Sequence, residues 1–343
     1  KASGAKIETI EGLADPGSLT PMQKAFHKTG ASQCGYCIPG MVMAATSALR
    51  ENPSADIEEI KERLGGNICR CTGYTKIFEA VEIAKAVIAG DMPEEALDEE
   101  PVGESYIGHN VRRLDAPSKV SGRLRYAADI KMHDMLQMQV LRSPHPHANI
   151  VSIDTSEAEA MDGVVCVITS DDVPAETDGF GVFVHDQPIM ARGKVRHVGE
   201  AVAAVAAEDL VAARRALSKI KVEYEELPGV YDPEDAMKDG AAIVHDYAAN
   251  NIVKHIPVRK GNVAAGFASA DIILEDDFST QQVEHAYLEP EAGIAYVDPD
   301  DVIVVMSPSQ NITHHRHMLA HILGQPINKV RFIMSPVGGG FGG

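Results

Sequence analysis

Gln33-Cys34-Gly35-Tyr36-Cys37-Ile38-Pro39-Gly40 and Asn67-Ile68-Cys69-Arg70-Cys71-Thr72-Gly73-Tyr74 contain four of the five cysteines in the chain. The first motif has the spacing C-x-x-C, the second has C-x-C, and 31 residues (38–68) separate Cys37 from Cys69. A secreted disulfide framework would instead distribute even pairs of cysteines through a small domain. The four clustered cysteines therefore predict a metal centre.

Two kinds of metal centre suit four clustered thiolates. Thiolates are soft ligands for iron–sulfur clusters and for zinc, and four of them from two loops can surround one centre. An all-thiolate zinc site usually uses two wider knuckles, and C-x-C is tight for chelating a single ion. A two-iron cluster has its irons apart, so each cysteine pair can serve its own iron. The spacing favours an iron–sulfur cluster, while a zinc site and free thiols remain as alternatives.

Helix signals surround both motifs. Thr20 and Pro21 are typical of a helix N-cap and first turn, and Gly30 is typical of a helix end. Pro39 predicts the start of a second helix, and Ser54 is a candidate cap for a third. We therefore expect a compact four-helix domain over residues 1–90, with helices within 20–30, 39–52, 54–66 and 75–89.

The composition changes after residue 90. Residues 91–115 include an acidic, proline-bounded run without a periodic apolar face, which predicts an exposed linker. A mixed domain is expected over 116–235, with strands at 136–140, 163–169, 201–207 and 220–224 and a helix at 208–219. A third domain is expected over 245–343, with strands at 272–274, 293–297, 302–306 and 330–334 and a helix at about 313–323. The predicted fold class is multidomain α+β, with an all-α domain followed by two mixed domains.

The charge balance narrows the classes of partner. With 31 Lys and Arg against 50 Asp and Glu, the formal charge is −19, which repels phosphate backbones and anionic membrane surfaces. Apolar runs such as Ala201–Ala207 are too short to span a bilayer, and no charged-then-apolar leader is visible. We expect a cytoplasmic protein whose partners are proteins and small molecules, with no nucleic acid and no membrane. Because the chain begins at Lys1 and stops within a glycine run, we also expect both ends to be truncation points.

The two cysteine motifs together resemble the helical [2Fe-2S] domain of the xanthine dehydrogenase and aldehyde oxidoreductase family of molybdenum hydroxylases. The resemblance implies that Cys34, Cys37, Cys69 and Cys71 bind a [2Fe-2S] cluster. It also implies that Gln33 and Cys71 contact a molybdenum-pterin cofactor, as molybdopterin or its dinucleotide. Electrons would then pass from molybdenum to the cluster.

The middle of the chain resembles the α/β hammerhead domain of the same family. The residues that carry this resemblance are Ser121-Gly122, Ser143-Pro144-His145-Pro146-His147-Ala148-Asn149-Ile150, Ile153-Asp154-Thr155-Ser156-Glu157-Ala158 and Asp171-Asp172-Val173-Pro174. The resemblance implies that residues 116–235 form that domain.

The region from residue 245 resembles the start of the molybdopterin-binding domain. Ser307-Pro308-Ser309-Gln310-Asn311 matches a loop whose glutamine lies near molybdenum in the family. Gly338-Gly339-Gly340-Phe341-Gly342-Gly343 matches a loop whose backbone approaches the ligands of the metal, which glycines permit. The resemblance implies Gln310 and Phe341 as catalytic-site residues, and Gln310, Gly340, Phe341 and Gly342 as cofactor-binding residues. Taken alone, the glycine run also satisfies the G-x-G-x-x-G pattern of a nucleotide-binding loop.

Three features of the family have no match in the chain: the plant-type [2Fe-2S] segment, an inserted flavin domain and the glutamate that acts as general base. The resemblance implies as partners the remaining part of the enzyme, a flavin subunit or electron-carrier protein, and a second copy in a homo-oligomer. The implied activity is hydroxylation of a purine, another N-heterocycle or an aldehyde, and the chain alone is expected to be inactive. The alternatives are a non-catalytic electron-transfer or scaffold subunit and a zinc-stabilised binding module.

The other cysteine and the histidines are expected to be structural. Cys166 lies between valines in a predicted strand and should pack in the core. His145 and His147 should shape a proline-held loop. No acidic residue follows His317 as the H-E-x-x-H pattern requires, so a surface position is expected for the histidines of the last helix: His314, His315, His317 and His321. Glu289 lies in another segment that resembles the family, where it either reaches the cofactor or supports a loop.

Overall fold

The computed structural model describes residues 2–99, 107–109, 111–181 and 184–342. Residues 100–106 and 110 of the predicted linker and the last glycine, Gly343, lie outside the described residues. The α-helices are α1 (Pro21–Thr29), α2 (Ile38–Glu51), α3 (Ile57–Leu64), α4 (Thr75–Ala89), α5 (Ala116–Val120), α6 (Ser156–Glu159), α7 (Leu210–Leu217), α8 (Pro233–Ala236), α9 (Val263–Ser269) and α10 (Ile312–Ile322). The strands are β1 (Gln137–Arg142), β2 (Ala148–Asp154), β3 (Val164–Ile168), β4 (Lys194–Val195), β5 (Ala201–Ala207), β6 (Lys221–Glu226), β7 (Ile294–Val297), β8 (Ile303–Ser307) and β9 (Val330–Met334).

The chain forms two compact units. The first consists of Lys1–Ile130, Gln281–Thr313 and Arg331–Gly343, and the second consists of Lys131–Thr280 and His314–Val330.

Capping side chains and a left-handed glycine mark ends of helices in the first unit. The Thr20 side chain accepts from the Gln23 backbone N–H and the Gln23 side chain accepts from the Thr20 N–H, a reciprocal capping box at the start of α1. Gly30 ends α1 in the left-handed conformation. The cap of α3 differs from the prediction, because the carboxylate of Asp56, and not Ser54, accepts from the Glu59 N–H.

A single apolar core lies between α1, α2, α3 and α4. Phe26, Ile38, Met41 and Ile77 are among its fully buried members. Leu97 is also fully buried in this core, so one side chain of the predicted linker packs inward, while most of the linker residues that the structure describes are exposed. The short 3₁₀ turn Glu94–Leu97 keeps its acidic side chains outward while it packs one leucine inward.

The second unit contains two antiparallel three-stranded sheets, with strand orders β1-β5-β3 and β4-β2-β6. β5 is central in the first sheet and is buried from Val202 to Val205, as expected for a strand covered on both faces. Ala203 and Val205 pack with Ala216 of α7, whereas Val202 packs with Val195 of β4.

Cys166 does not pack in the core as predicted, since the structure places it at an exposed position. β3 is the last strand in the order β1-β5-β3, and its register against β5 shifts between Val164 and Cys166. A bulge of this kind interrupts the alternation of side chains and can turn a residue to the outer face.

The third sheet has the order β7-β8-β9, with β7 and β8 antiparallel from the pair Ile294 and Met306 to the pair Val297 and Ile303. The strand predicted at 272–274 is absent: these described residues are exposed and have no regular secondary structure.

None of the helices in the described ranges is both long enough and apolar enough to span a bilayer.

Candidate functional site

The two cysteine motifs come together through their sulfur atoms. Cys37 occupies the N-cap position of α2, and Cys71 lies in the loop that leads to α4. The Sγ atom of Cys71 is 3.4 Å from that of Cys34, and the thiol of Cys37 is hydrogen-bonded with Cys69. Each contact therefore joins one cysteine of the first motif to one of the second, so the sulfurs pair across the two motifs and not within each motif as the spacing suggested.

The environment of Cys69 favours its thiolate form. Its Sγ shares a hydrogen bond with Cys37 and accepts two more from Thr72, from the hydroxyl at 3.1 Å and from the backbone N–H at 3.4 Å. These interactions lower the pKa of Cys69 to about 5. The shared hydrogen bond and burial raise the pKa of Cys37, and burial raises the pKa of Cys71 to about 11.

The arrangement of the four sulfurs fits a two-iron cluster better than a single ion. The cysteines meet in two pairs, and a two-iron cluster requires two thiolates for each iron. A mononuclear zinc centre would need all four sulfurs around one point.

Backbone contacts hold the first cysteine loop in place. The Lys119 ammonium donates to the Gln33 carbonyl oxygen at 2.8 Å, and the Tyr126 hydroxyl donates to the Cys34 carbonyl oxygen at 2.8 Å. Gln33 and Cys34 also line an open cleft of about 560 Å³ whose other side includes residues 334–337. These residues directly precede the glycine run, so the first cysteine motif and the approach to that run share one cleft.

Gln310 and the glycine run lie next to each other. A Cβ at Gly340 would be 3.3 Å from Nε2 of Gln310, and a Cβ at Gly338 would overlap the side chain of Glu289. Gly339 and Phe341 have positive φ angles of 112° and 58°. The glycine run thus exposes its backbone in a space that Cβ atoms at these positions would occupy. The amide side chain of Gln310 lies at the edge of the run.

Glu289 supports the glycine run from beneath. It is 5% exposed, and its Oε2 accepts a hydrogen bond from the backbone N–H of Gly338. Its other oxygen, Oε1, is buried and has no partner among the described atoms. Burial raises the pKa of the Glu289 carboxyl above its usual range. The contact shows support of the loop, one of the two roles that the sequence left open, and the other role, contact with the cofactor, stays a prediction.

The histidines named from sequence have structural contacts. His147 is buried, and its Nδ1 is 2.8 Å from the Pro228 carbonyl oxygen. The His145 ring packs on Tyr224 with centroids 4.8 Å apart. The ring of His321 lies 5.4 Å from that of His185.

Sequence patterns did not reveal Lys119 or Tyr126 as neighbours of the cysteine loops. Lys119 and Tyr126 are 85 and 92 residues beyond Cys34 (119 − 34 and 126 − 34), and neither belongs to a ligand-like pattern. A lysine in the short apolar segment Ala116–Val120 is the one local sign that a charge is buried there.

Three family models match successive parts of the chain. Residues 9–82 match a [2Fe-2S] binding domain, residues 121–228 match the hammerhead domain of aldehyde oxidase and xanthine dehydrogenase, and residues 244–343 match a molybdopterin cofactor-binding domain. The chain therefore carries the domains for both cofactors, and the α+β multidomain fold class is confirmed.

Curated relatives and solved structures show the same family. The chain is 35% identical to the aldehyde oxidoreductase of Megalodesulfovibrio gigas, over 99% of this chain and 39% of that protein. It is 38% identical to the nicotinate dehydrogenase large molybdopterin subunit of Eubacterium barkeri, over 71% of this chain and 57% of that subunit. The solved aldehyde oxidoreductase of Desulfovibrio desulfuricans superimposes with a TM-score of 0.88 at 30% identity, over 98% of this chain and 40% of that one. The chain thus spans about two fifths of the length of both aldehyde oxidoreductases. With the paired cysteines and the glycine run, these matches show that the chain belongs to the molybdenum hydroxylase family of aldehyde oxidoreductases and xanthine dehydrogenases.

Proposed function

We propose that the protein is the cluster-binding and cofactor-facing part of an oxidoreductase that hydroxylates an aldehyde or an N-heterocycle such as a purine. The observation that carries the proposal is the pairing of Cys34 with Cys71 and of Cys37 with Cys69. The cleft that Gln33 and Cys34 share with residues 334–337, directly before the glycine run, supports the proposal.

Each group of residues has a distinct task in this proposal. The thiolates of Cys34, Cys37, Cys69 and Cys71 hold the [2Fe-2S] cluster, and the Thr72 hydrogen bonds stabilise charge on the Cys69 sulfur.

The molybdenum-pterin cofactor would be held on the other side of the site. Gly340, Phe341 and Gly342 offer it close backbone contact, and Gln310 offers an amide at the edge of the loop. Gln33 and the backbone of Cys71 would contact the pterin. When bound, this cofactor supplies the oxygen-transfer and two-electron redox chemistry that amino-acid side chains lack.

Glu289 holds the glycine run through the Gly338 N–H. This contact fixes the loop without placing a mobile side chain in the path of a bound group. Electrons would leave through the cluster to a flavin subunit or an electron-carrier protein.

The ligand assignment is tested by paired cysteine substitutions. We expect dithionite-reduced protein to show the electron paramagnetic resonance (EPR) signal of a two-iron cluster, and Cys71→Ser to abolish it. Cys166→Ser is the matched control and should keep the signal, because Cys166 lies at an exposed position on β3. An unaltered signal in Cys71→Ser would refute the assignment.

The activity is tested on the complete enzyme that contains this chain. We expect molybdenum in the purified enzyme and reduction of an artificial electron acceptor with benzaldehyde or with hypoxanthine. A colourless protein that contains zinc would instead support a binding module. Iron without molybdenum or turnover would support an electron-transfer subunit.

A further inference from the structure

Lys119 of α5 carries a buried positive charge. The residue is 6% exposed, which is rare for lysine because a buried ammonium group is costly unless it is paired. Its Nζ has two partners, the Gln33 carbonyl oxygen at 2.8 Å and the Asp115 Oδ2 atom at 2.7 Å. The ammonium is therefore held at the backbone of Gln33, the residue directly before Cys34.

The rest of the Lys119 side chain packs against the cysteine loop. A Cβ at Gly35 would lie 2.6 Å from Cγ of Lys119 and 2.9 Å from the Tyr126 hydroxyl. Lys119 and Tyr126 thus cover Gly35 and hold the carbonyl groups of Gln33 and Cys34, respectively. The loop cannot move away from the ammonium without breaking these contacts.

The charges around Lys119 are unequally exposed. The side chain of Asp115 is 51% exposed and also pairs with the guanidinium of Arg113, which holds the pKa of the Asp115 carboxyl well below its usual range. Solvent screens an exposed charge more strongly than a buried one. The cysteine loop therefore experiences a positive field from Lys119 that Asp115 offsets only in part.

We propose that Lys119 positions the Cys34 loop and raises the reduction potential of the cluster, with Asp115 as its partly screened counter-charge. The proposal rests on the proposed function in one respect, that the four cysteines hold a [2Fe-2S] cluster. Reduction adds one electron to the cluster, and a nearby buried cation stabilises the added negative charge.

The test is an EPR-monitored redox titration of the enzyme with dithionite as reductant. Lys119→Met should lower the midpoint potential of the cluster, because the positive charge is lost while Asp115 remains. Asp115→Asn should raise it by a smaller amount, and the double variant should lie between the two single variants. Lys119→Arg keeps the charge and should stay near the wild-type potential.

Lys85→Met is the matched control. Lys85 also donates to a backbone carbonyl, that of Ala55. It lies ten residues along α4 from Thr75, the first residue of the helix after the second cysteine motif, which is about 15 Å along the helix axis. Its loss should leave the potential unchanged.

Three outcomes would overturn the proposal while the cluster is intact: an unchanged potential in Lys119→Met, shifts of the same sign in Lys119→Met and Asp115→Asn, or an equal shift in Lys85→Met. If Lys119→Met does not fold, the midpoint potential of Asp115→Asn still tests the proposal, which requires it to be higher than that of the wild type. Absence of the cluster from the wild-type enzyme would refute the proposed function itself, and so the two failures are distinguishable.

Discussion

The Nε–H of Arg70 donates to the backbone carbonyl oxygen of His285 at 2.9 Å. A second guanidinium nitrogen donates to the carbonyl oxygen of Glu284 at 3.2 Å, and the guanidinium lies 5.5 Å from the centre of the Phe341 ring. Arg70 is the residue between Cys69 and Cys71. These contacts tie the second cysteine loop directly to the segment before Glu289 and to the glycine run.

Arg70→Met should weaken this link. We expect the free energy of unfolding to fall by about 1–3 kcal/mol, since two hydrogen bonds and a cation–π contact are lost at an exposed position. Reduction of the cluster by substrate should also slow, because the two loops are no longer held together. Urea denaturation and stopped-flow absorbance of the cluster measure the two effects.

The matched control for Arg70→Met is Arg63→Met on α3. Arg63 is also exposed and pairs with Glu51 at 2.9 Å. Loss of such a surface ion pair typically costs under about 1 kcal/mol. Equal effects of the two substitutions on stability and on cluster reduction would contradict the role given to Arg70.

Gly35→Ala should be more damaging than an ordinary glycine substitution. Gly35 has a φ of +96°, and an added methyl group would meet Lys119 and Tyr126. Left-handed strain and overpacking together predict a loss of about 2–5 kcal/mol of stability. Gly90→Ala, at φ +82° with nothing within 4 Å of its Cβ, should show only the strain of about 1–2 kcal/mol. Chemical denaturation measures the stability of both variants, and their iron content is measured alongside. Equal losses of stability in Gly35→Ala and Gly90→Ala would contradict the close packing of Lys119 and Tyr126 on Gly35.

The elements that sequence predicted well are those specified by local chemistry. Thr20, Gln23 and Gly30 define α1 through a capping box and a left-handed glycine, and both signals lie within the helix that they specify. The cysteine motifs were recognisable for the same reason, because the spacing of C-x-x-C and C-x-C is itself the signal.

The positions that sequence did not predict depend on distant partners. Leu97 sits in an acidic run, and its burial follows only from the core formed by α1 to α4. Cys166 is exposed on β3, at the end of the strand order β1-β5-β3, where the register against β5 shifts. Lys119 is paired with a carbonyl 86 residues away, a contact that no local pattern encodes.

Gln310→Ala should affect turnover without affecting the cluster. Gln310 lies beside Gly340 and is not one of the four proposed thiolate ligands, so iron content and the EPR signal should be unchanged. If its amide orients the molybdenum-pterin, turnover should fall by about 10–100-fold. Gln325→Ala, an exposed glutamine after α10, is the control. Wild-type turnover in Gln310→Ala would show that this loop does not serve the cofactor.

Glu289→Gln should change how stability depends on pH. Burial raises the pKa of the Glu289 carboxyl, so the folded state binds this proton more tightly than the unfolded state does. The contribution of Glu289 to wild-type stability should therefore fall as pH rises from about 4.3, the usual pKa of glutamate, through the higher folded-state pKa. Glutamine does not titrate, and its amide oxygen can still accept from the Gly338 N–H.

The free energy of unfolding of Glu289→Gln, relative to wild type, should accordingly increase with pH over that window and then level off. Denaturant unfolding of both proteins between about pH 4.5 and about pH 8 measures the difference, in which titrations common to both proteins cancel. Glu62→Gln, at an exposed position on α3, corrects for the loss of one charge. A relative stability that falls with pH would mean that the buried carboxylate, and not its protonated form, is what the glycine run requires.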